Sequence, residues 1–254
     1  MPDPDRLLPE LLRLVERAAA LVREHYAGPI EAAAKADQSP VTAADRAAEA
    51  LIEEGLRALD PELPIVAEEA VAEGRVPNLS AGAAFWLVDP LDGTKEFLSR
   101  NGEFTVNVGL VARGSPVLGV VAAPALERLW WGVVGRGAFT REAGRDRPIR
   151  VRPRPASGLV AVASRSHRDP ETDAWLAAHG VLETVSAGSS LKLCLLAEGL
   201  ADVYPRFGRT MEWDIAAGHA VLAAAGGRVL TVDGRPLGYG KPGFENPPFV
   251  AWGG

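Results

Sequence analysis

The chain has 254 residues, of which 47% are hydrophobic and 24% are charged, and its formal net charge is −6 at pH 7. This length can bury a large core as one domain or two, and the composition is that of an ordinary soluble globular protein. The acidic balance argues against broad binding to a nucleic-acid polymer, and no apolar stretch is long enough to span a membrane. A single cysteine, Cys194, excludes an internal disulfide. The N-terminus is acidic and lacks the features of a secretory signal. Together with the single cysteine, this favours a cytoplasmic location for the protein.

The first half of the chain is predicted to combine two amphipathic helices with a series of strands. Apolar residues recur at helical spacing over residues 7–22, and a second helix is expected to begin near residues 41–45 and to end near Leu59. Short buried strands are predicted at residues 63–67 and 85–88 from their apolar residues. Consecutive antiparallel strands are then predicted at residues 105–111, 117–122 and 129–133.

The second half is predicted to alternate strands and helices, which is typical of an α/β layer. The basic, proline-containing segment 150–157 is the predicted boundary between the halves. It divides the chain into an N-terminal α+β subdomain, residues 1–155, and a C-terminal α/β subdomain, residues 156–254. The predicted strands are 159–163, 184–185, 202–204 and 229–232, and the predicted helices are 170–179, 189–198 and 214–225.

Residues 85–97, with the sequence Phe-Trp-Leu-Val-Asp-Pro-Leu-Asp-Gly-Thr-Lys-Glu-Phe, are the strongest indication of chemistry. The proline is predicted to end the strand, and Gly93 to allow a sharp turn. Asp89 and Asp92 would then lie on a bend just past a core strand, where open α/β sheets place their sites. Thr94 would begin a helix whose free amides suit a phosphate. Paired carboxylates beside such a helix favour Mg²⁺ and a phosphorylated substrate, whereas the alternative is a solvated turn in which Asp92 caps the helix.

Other acidic residues have more than one interpretation from sequence alone. Asp45 stands three residues after Thr42, which is the spacing of a capping box. Glu68 follows a short strand, where a carboxylate is usually solvated. Asp214 lies in the first turn of a predicted helix, where it would compensate the helix dipole. His219 is expected to be a packed or capped surface histidine.

The run at residues 89–97, followed by Asn-Gly-Glu-Phe-Thr-Val-Asn at 101–107, resembles the inositol-monophosphatase-like superfamily. Within that superfamily it is most similar to the CysQ-type 3′(2′),5′-bisphosphate nucleotidases. Val-Thr-Ala-Ala-Asp at 41–45 and Glu-Trp-Asp at 212–214 match motifs of the same family. The resemblance covers nearly the whole chain. It implies the carbohydrate-phosphatase-like fold, a layered αβαβα sandwich of two sheet-containing subdomains with mixed α+β and α/β character.

The resemblance implies a metal-dependent phosphatase. Two or three Mg²⁺ ions would surround one phosphate. Glu68 and Thr94 would orient the attacking water, and Asp45 would support the threonine hydroxyl. Competition by Li⁺ at one metal site is implied in the same way. The implied metal ligands are Glu68, Asp89, the Leu91 carbonyl, Asp92 and Asp214.

Substrate choice is expected to depend on the second half. Inositol monophosphatases have a carboxylate where Arg206 stands, and a cation there suits a second phosphate through bidentate pairing. The expected substrate-binding residues are Gly93, Thr94, Ser166, His167, Gly188, Ser189, Ser190, Lys192 and Arg206.

The implied reaction removes the 3′-phosphate of 3′-phosphoadenosine 5′-phosphate, and of its sulfated form, in the housekeeping of sulfur assimilation. The alternatives are an inositol monophosphatase or fructose-1,6-bisphosphatase activity on the same scaffold, and a non-catalytic binding protein. A homodimer is implied by the resemblance only.

Overall fold

The structure is a computed structural model that describes residues 2–34, 40–164 and 169–254. Over these ranges the chain forms seven α-helices and fourteen strands. The helices are α1 (Pro4–Ala27), α2 (Ala43–Leu59), α3 (Glu68–Ala72), α4 (Thr94–Leu98), α5 (Pro170–Ala178), α6 (Leu191–Ala197) and α7 (Glu212–Ala224). The strands are β1 (Ala32–Ala34), β2 (Pro40–Thr42), β3 (Ile65–Ala67), β4 (Phe85–Asp92), β5 (Thr105–Ala112), β6 (Ser115–Ala123), β7 (Arg128–Val133), β8 (Gly137–Glu142), β9 (Arg145–Ile149), β10 (Leu159–Ser164), β11 (Val181–Ala187), β12 (Val203–Arg206), β13 (Arg228–Thr231) and β14 (Phe249–Trp252).

Two large sheets organise the described residues. The seven-stranded sheet runs from β3 to β9 in sequence order, and its pairs are antiparallel except for β3 with β4. The five-stranded sheet has the order β11-β10-β12-β14-β13. Its β11, β10 and β12 are parallel, and β14 runs antiparallel to both of its neighbours. The strands β1 and β2 form a separate antiparallel pair.

Helices and sheets alternate in five layers. The helices α1 and α2 cover one face of the seven-stranded sheet, α6 and α7 lie between the two sheets, and α5 packs on the outer face of the five-stranded sheet. Three hydrophobic cores of described residues fill the spaces between these layers. One lies between α1, α2 and the seven-stranded sheet, one surrounds α6 and α7 between the two sheets, and one lies between the five-stranded sheet and α5. Trp130 and Trp131 are neighbours on β7 but belong to different cores, because successive side chains of a strand point to opposite faces. The predicted αβαβα sandwich is therefore confirmed.

Helix α7 rests on a row of glycines in the seven-stranded sheet. Gly109, Gly119 and Gly132 pair directly across β5, β6 and β7. A Cβ atom at Gly119 would lie 2.2 Å from the carbonyl oxygen of Ala217, so only a glycine allows the helix backbone to approach this closely. The helix that carries Asp214 is thus fixed to the sheet of the first half.

The strand at the centre of the strongest motif continues further than predicted. We expected Pro90 to end this strand, but β4 continues through it to Asp92. The pairing of β4 with β5 shifts register between Asp89 and Asp92. This irregularity accommodates a residue that has no amide to donate to the ladder, so the prediction that the proline ends the strand was wrong.

Five of the described strands escape the sequence patterns, namely β1, β2, β8, β9 and β14. The strands β1 and β2 are only three residues long each. The hairpin β8–β9 ends the seven-stranded sheet, and β9 is mostly exposed and charged, so its sequence lacks the alternation of a half-buried strand. The apolar strand β14 follows a glycine- and proline-rich stretch and lies between β12 and β13.

The division of the chain at residue 155 stays a prediction. Strands of the seven-stranded sheet precede residue 150 and those of the five-stranded sheet follow residue 158, yet the core between the sheets draws residues from both halves. Of the helices described here, α1 is the longest at 24 residues, and none combines the length and apolarity needed to cross a membrane.

His219 is buried inside the protein, contrary to the expectation that it could lie at the surface. It is 8% exposed, and its Nδ1 forms a hydrogen bond of 2.9 Å with the hydroxyl of Tyr239. Burial lowers the pKa of His219 from 6.5 to about 3. The unfolded chain therefore binds a proton more readily than the folded protein, and His219 reduces the free energy of unfolding as the pH falls from 6.5 towards 3.

We expect His219→Gln to remove this contribution. Between pH 7 and pH 5 the wild-type protein should lose about 2 kcal/mol more of its free energy of unfolding than the variant does. Urea unfolding of both proteins at the two pH values gives the loss of unfolding free energy for each. Subtracting one loss from the other cancels the contribution of every other titrating group. Equal losses in the two proteins would contradict the prediction.

Candidate active site

The two halves meet at a cavity of about 580 Å³. The ends of β4 and β12, the start of α3 and the starts of α6 and α7 contribute to its wall. The cavity collects most of the residues that the sequence singled out, from both halves of the chain. The predicted residues that line it are Glu68, Asp92, Gly93, Thr94, Ser189, Ser190, Lys192, Arg206 and Asp214.

A left-handed glycine makes the turn from β4 into α4. Gly93 has φ 91° and ψ 46°, and no side chain caps α4. The Asp92 carboxylate is directed elsewhere, because it accepts a hydrogen bond of 2.7 Å from the amide of Ser190. The interpretation of Asp92 as a simple helix cap is therefore wrong, and Asp92 joins the first half of the chain to the second.

The Gly93 turn predicts a coupled pair of substitutions. A Cβ atom at this position would lie 2.2 Å from Oγ of Ser189. We expect Gly93→Ala to lower the free energy of unfolding by about 1–3 kcal/mol, because strained backbone and steric overlap both contribute. Ser189→Ala removes the overlapping oxygen, so the double variant should regain the steric part of the loss and keep the backbone part. Urea unfolding of the four proteins measures this coupling, and strictly additive effects would contradict it.

Three carboxylates in the cavity repel one another. Burial raises the pKa of Asp214 well above its ordinary value, and the charges of Asp92 and Glu68 raise it further. Burial also raises the pKa of Asp92, with Lys192 opposing that rise and Glu68 adding to it. A cation among these groups would relieve the repulsion.

The other two predicted ligands lie in the strand behind the cavity. The Asp89 carboxylate is buried and accepts a hydrogen bond of 3.0 Å from the amide of Leu91. The carbonyl of Leu91 accepts from the hydroxyl of Thr94 at 3.4 Å. Over the described ranges, neither Asp89 nor Leu91 lines the cavity itself.

The chemistry of the donor set fits a hard divalent cation. Its groups are carboxylate and carbonyl oxygens, the ligands that Mg²⁺ prefers. Buried carboxylates with raised pKa values are also ones that gain from a bound positive charge. Within the described parts of the chain, no three acidic, histidine or cysteine side chains are close enough to form a ready metal cluster. The donors are therefore present without a preformed cage.

Asp45 caps helix α2 and also contacts Thr94. Its Oδ2 accepts from the amide of Thr42 at 2.8 Å and from the Thr42 hydroxyl at 2.6 Å, which confirms the predicted capping box of α2. Its Oδ1 accepts a hydrogen bond of 3.4 Å from the hydroxyl of Thr94. The start of α2 is thereby linked to the turn that follows β4.

The segment before α6 holds the two halves together. The Ser189 hydroxyl donates to the carbonyls of Asp92 at 2.8 Å and Glu103 at 2.9 Å. The Ser190 hydroxyl donates to the carbonyl of Asp214 at 2.6 Å. The predicted substrate-binding serines thus also bring the carboxylates of β4 and α7 to the same cavity.

Sequence reasoning assigned no role to two polar residues of the 101–107 run. The Glu103 carboxylate accepts a hydrogen bond of 2.9 Å from the amide of Gly188, a predicted substrate-binding residue that does not line the cavity over the described ranges. Asn107 donates to Asp92 at 3.4 Å. Thr105 and Asn107 are two residues apart on a fully buried strand, so their polar side chains share one face. This pattern could have revealed Asn107 from the sequence.

Two cations lie in the same cavity as the carboxylates. Lys192 is 6% exposed, and its Nζ donates to the carbonyl of Ser189 at 2.6 Å. Burial lowers the pKa of Lys192 to about 8, against the opposing charge of Asp92. Arg206 is the last residue of β12 and donates to the carbonyl of Arg209 at 3.1 Å.

Two predicted substrate-binding residues, Ser166 and His167, lie outside the described residues. Sequence reasoning missed several residues that line the cavity. These are Pro40, Lys95, Glu96, Asp169, Leu193, Tyr204, Gly208, Arg209, Thr210 and Ile215.

The sequence matches the model of the inositol monophosphatase family over residues 3–249. The chain belongs to the inositol monophosphatase family. It is 47% identical over 246 residues to the 3′(2′),5′-bisphosphate nucleotidase CysQ of Escherichia coli K12, and the match covers 96% of this chain and 98% of that relative. The CysQ nucleotidase of Buchnera aphidicola is 39% identical over 251 residues, with 97% and 93% covered.

Solved structures of the inositol monophosphatase family agree with the fold. The crystal structure of CysQ from Bacteroides thetaiotaomicron superposes with a TM-score of 0.82 at 37% identity, and 96% of each chain is covered. The inositol monophosphatase of Anabaena gives 0.77 at 29% identity, with 97% of this chain and 90% of that chain covered. The family match spans both halves and includes the runs at 41–45, 89–97 and 212–214, so the resemblance seen in the sequence is confirmed.

Proposed function

We propose that this protein is a Mg²⁺-dependent 3′(2′),5′-bisphosphate nucleotidase. It removes the 3′-phosphate of 3′-phosphoadenosine 5′-phosphate to give AMP and phosphate, and it acts on the sulfated form of that nucleotide in the same way. The observation that supports this proposal best is the single cavity that joins the carboxylates Asp92 and Asp214 to the cations Lys192 and Arg206. The similarity to CysQ nucleotidases over nearly the full chain points to the same activity.

The metal ligands proposed are Glu68, Asp89, the Leu91 carbonyl, Asp92 and Asp214. Two or three bound Mg²⁺ ions supply a water of lowered pKa and charge neutralisation at the leaving oxygen. The carboxylates would hold these ions at the meeting point of the two halves, where Lys192 and Arg206 only partly offset the effects of burial and mutual repulsion on Asp92 and Asp214.

Thr94, Glu68 and Asp45 orient the attacking water in this proposal. The Thr94 hydroxyl directs its one proton towards two acceptors, Oδ1 of Asp45 and the carbonyl of Leu91, each at 3.4 Å, so its oxygen lone pairs can accept a hydrogen bond from the water. The Glu68 carboxylate lines the same cavity and can accept the second proton of that water. Backbone amides at Gly93 and Thr94 hold the oxygens of the phosphate that do not react.

Cations of the second half recognise the other phosphate of the substrate. Arg206 offers a planar guanidinium for bidentate contact. Lys192 adds a buried positive charge, and its hydrogen bond to the carbonyl of Ser189 fixes the position of that charge. Ser189 and Ser190 complete this side of the pocket, and Gly188, Ser166 and His167 belong to the same proposed substrate site.

A second candidate function is an inositol monophosphatase activity, because solved inositol monophosphatases share the fold. The cation at position 206 favours a second phosphate over a sugar hydroxyl, and so favours the nucleotide. The proposal also includes a role in sulfur assimilation, inhibition by Li⁺, a cytoplasmic location and a homodimer, all of which the family resemblance or the composition suggests.

The experiment that tests the function compares phosphate release from three substrates in the presence of Mg²⁺. They are 3′-phosphoadenosine 5′-phosphate, inositol-1-phosphate and fructose-1,6-bisphosphate, each with a chelator control. We expect a clear preference for the nucleotide. A preference for either sugar phosphate would keep the metal site and refute the proposed substrate site, and no release from any substrate would support the binding-protein alternative.

A further inference from the structure

Helix α2 directs a line of acidic side chains towards the site. Asp45, Glu49 and Glu53 are four residues apart, so they share one face of the helix, and they are 1%, 4% and 9% exposed. Asp45 contacts Thr94 at one end of the line. Glu53 pairs with Arg57 at the other end, at 2.6 Å. Glu49 lies between them and has no part in the function proposed above.

Glu49 supplies a cap that helix α3 does not have. The residue before α3 is Ala67, and no hydrogen bond from a side chain of its own caps this helix. The first amides of a helix have no partner within it and need acceptors from elsewhere. Oε2 of Glu49 accepts from the amide of Glu69 and Oε1 accepts from the amide of Ala70, each at 2.8 Å. One buried carboxylate therefore satisfies two amides of the helix that Glu68 begins.

We propose that Glu49 is a positioning residue that holds Glu68 in the cavity, and this inference rests on the proposed function. Both amides bound by Glu49 lie within two residues of Glu68, so these two hydrogen bonds fix the turn from β3 into α3. Asp45, one helical turn earlier, fixes Thr94 in the same way. A single face of α2 thus sets the distance between the two groups that orient the water.

The reason for a carboxylate at this position is geometric and electrostatic. Its two oxygens can each accept one amide. Burial raises the pKa of Glu49 to about 7 and the two amide hydrogen bonds oppose that rise, so above pH 7 its negative charge faces the positive end of a short helix. A carboxamide has one acceptor and one donor, so its NH₂ group would face an amide N–H and push the turn away. A displacement of about 1 Å in a catalytic group can lower the rate about a hundredfold.

The test uses Glu49→Gln. We expect kcat for 3′-phosphoadenosine 5′-phosphate to fall about 10- to 100-fold with KM changed less than about threefold, because the substrate cations are untouched. We also expect the dissociation constant for Mg²⁺, measured by calorimetry without substrate, to rise about tenfold. The matched control is Glu53→Gln, because Glu53 is the next buried carboxylate of α2 and pairs with Arg57 and Arg75 rather than with the first amides of α3. It should leave both quantities within about twofold.

A rescue separates positioning from general support of the fold. Ala67 has φ −117° and ψ 145°, which suits a capping serine. Adding Ala67→Ser to Glu49→Gln should restore part of both kcat and Mg²⁺ affinity. If Glu49→Gln does not fold, Glu49→Asp keeps the charge but is too short to reach both amides, and it should show the same two defects.

Two outcomes would overturn the inference. Both proteins are assayed well below their unfolding temperatures. If Glu49→Gln then has the same kcat and the same Mg²⁺ affinity as the wild-type protein, Glu49 only supports the fold. A wild-type protein that neither binds Mg²⁺ nor releases phosphate would refute the proposed function, and the inference would fail with it. The two failures are distinguishable because the first needs an active wild-type protein.

Discussion

Asp92→Asn is expected to lose about a thousandfold or more in kcat for 3′-phosphoadenosine 5′-phosphate while the fold survives. The substitution removes one negative charge from the proposed metal site. It keeps a carbonyl oxygen that can still accept the amide of Ser190, which now bonds to the carboxylate at 2.7 Å. Phosphate release under saturating Mg²⁺ measures the loss. Activity within about tenfold of the wild-type protein would refute the assignment of Asp92 as a metal ligand.

The same variant should keep its stability where it loses activity. In the absence of metal, removing the charge of Asp92 relieves its repulsion with Asp214 but also removes its attraction to the buried Lys192, so the free energy of unfolding should change little. Added Mg²⁺ should raise the unfolding temperature of the wild-type protein and not that of the variant. Asp233→Asn is a suitable control, because Asp233 is an exposed aspartate that pairs with Arg235 in a turn. Equal stabilisation of the wild-type protein and Asp92→Asn by Mg²⁺ would count against a metal at Asp92.

Arg206→Ala is expected to change the choice of substrate more than the chemistry. Loss of a charge-assisted contact to the second phosphate should cost about 3 kcal/mol, which is about a hundredfold in kcat/KM for 3′-phosphoadenosine 5′-phosphate. Inositol-1-phosphate has no second phosphate, so its turnover should change less than about threefold. Both substrates are assayed at saturating Mg²⁺, because Arg206 also opposes the rise in the pKa of Asp214.

Two comparisons make the Arg206 result specific. Arg206→Lys keeps the charge without the planar fork and should lose less than the alanine variant. Arg235→Ala removes an exposed arginine that pairs with Asp233 and should have no effect. A parallel loss on both substrates in Arg206→Ala would mean that this arginine supports the site in general and does not select a bisphosphate.

Local patterns in the sequence were sufficient for most of the elements and for the centre of the site. The helical spacing of apolar residues in α1, the capping box at Thr42 and Asp45, and the turn at Gly93 are all determined by neighbouring residues. The runs at 41–45, 89–97 and 212–214 led to residues that the fold brings together from distant parts of the chain. Such runs are informative because a site of this kind requires particular residue types at fixed turns.

Interactions between distant segments could not be predicted in the same way. Glu49 is 20 residues from the amide of Glu69 that it binds, and nothing beside it in the sequence indicates this contact. The register shift at Pro90 depends on a neighbouring strand. Asn107 has the pattern of an ordinary buried strand residue, and only the fold shows that its amide donates to the carboxylate of Asp92. These residues depend on tertiary packing, which no local window contains.

The glycine row beneath α7 limits how this protein can open. A helix whose backbone touches the backbone of a sheet has no layer of side chains on which to slide, and lifting it would expose the core between the sheets. Separation of the two halves would therefore break this backbone-to-backbone packing as well as expose the shared core. We expect substrate and product to exchange through the cavity with its walls in place. The chain should also unfold in one cooperative step, despite the two sheets into which its sequence divides.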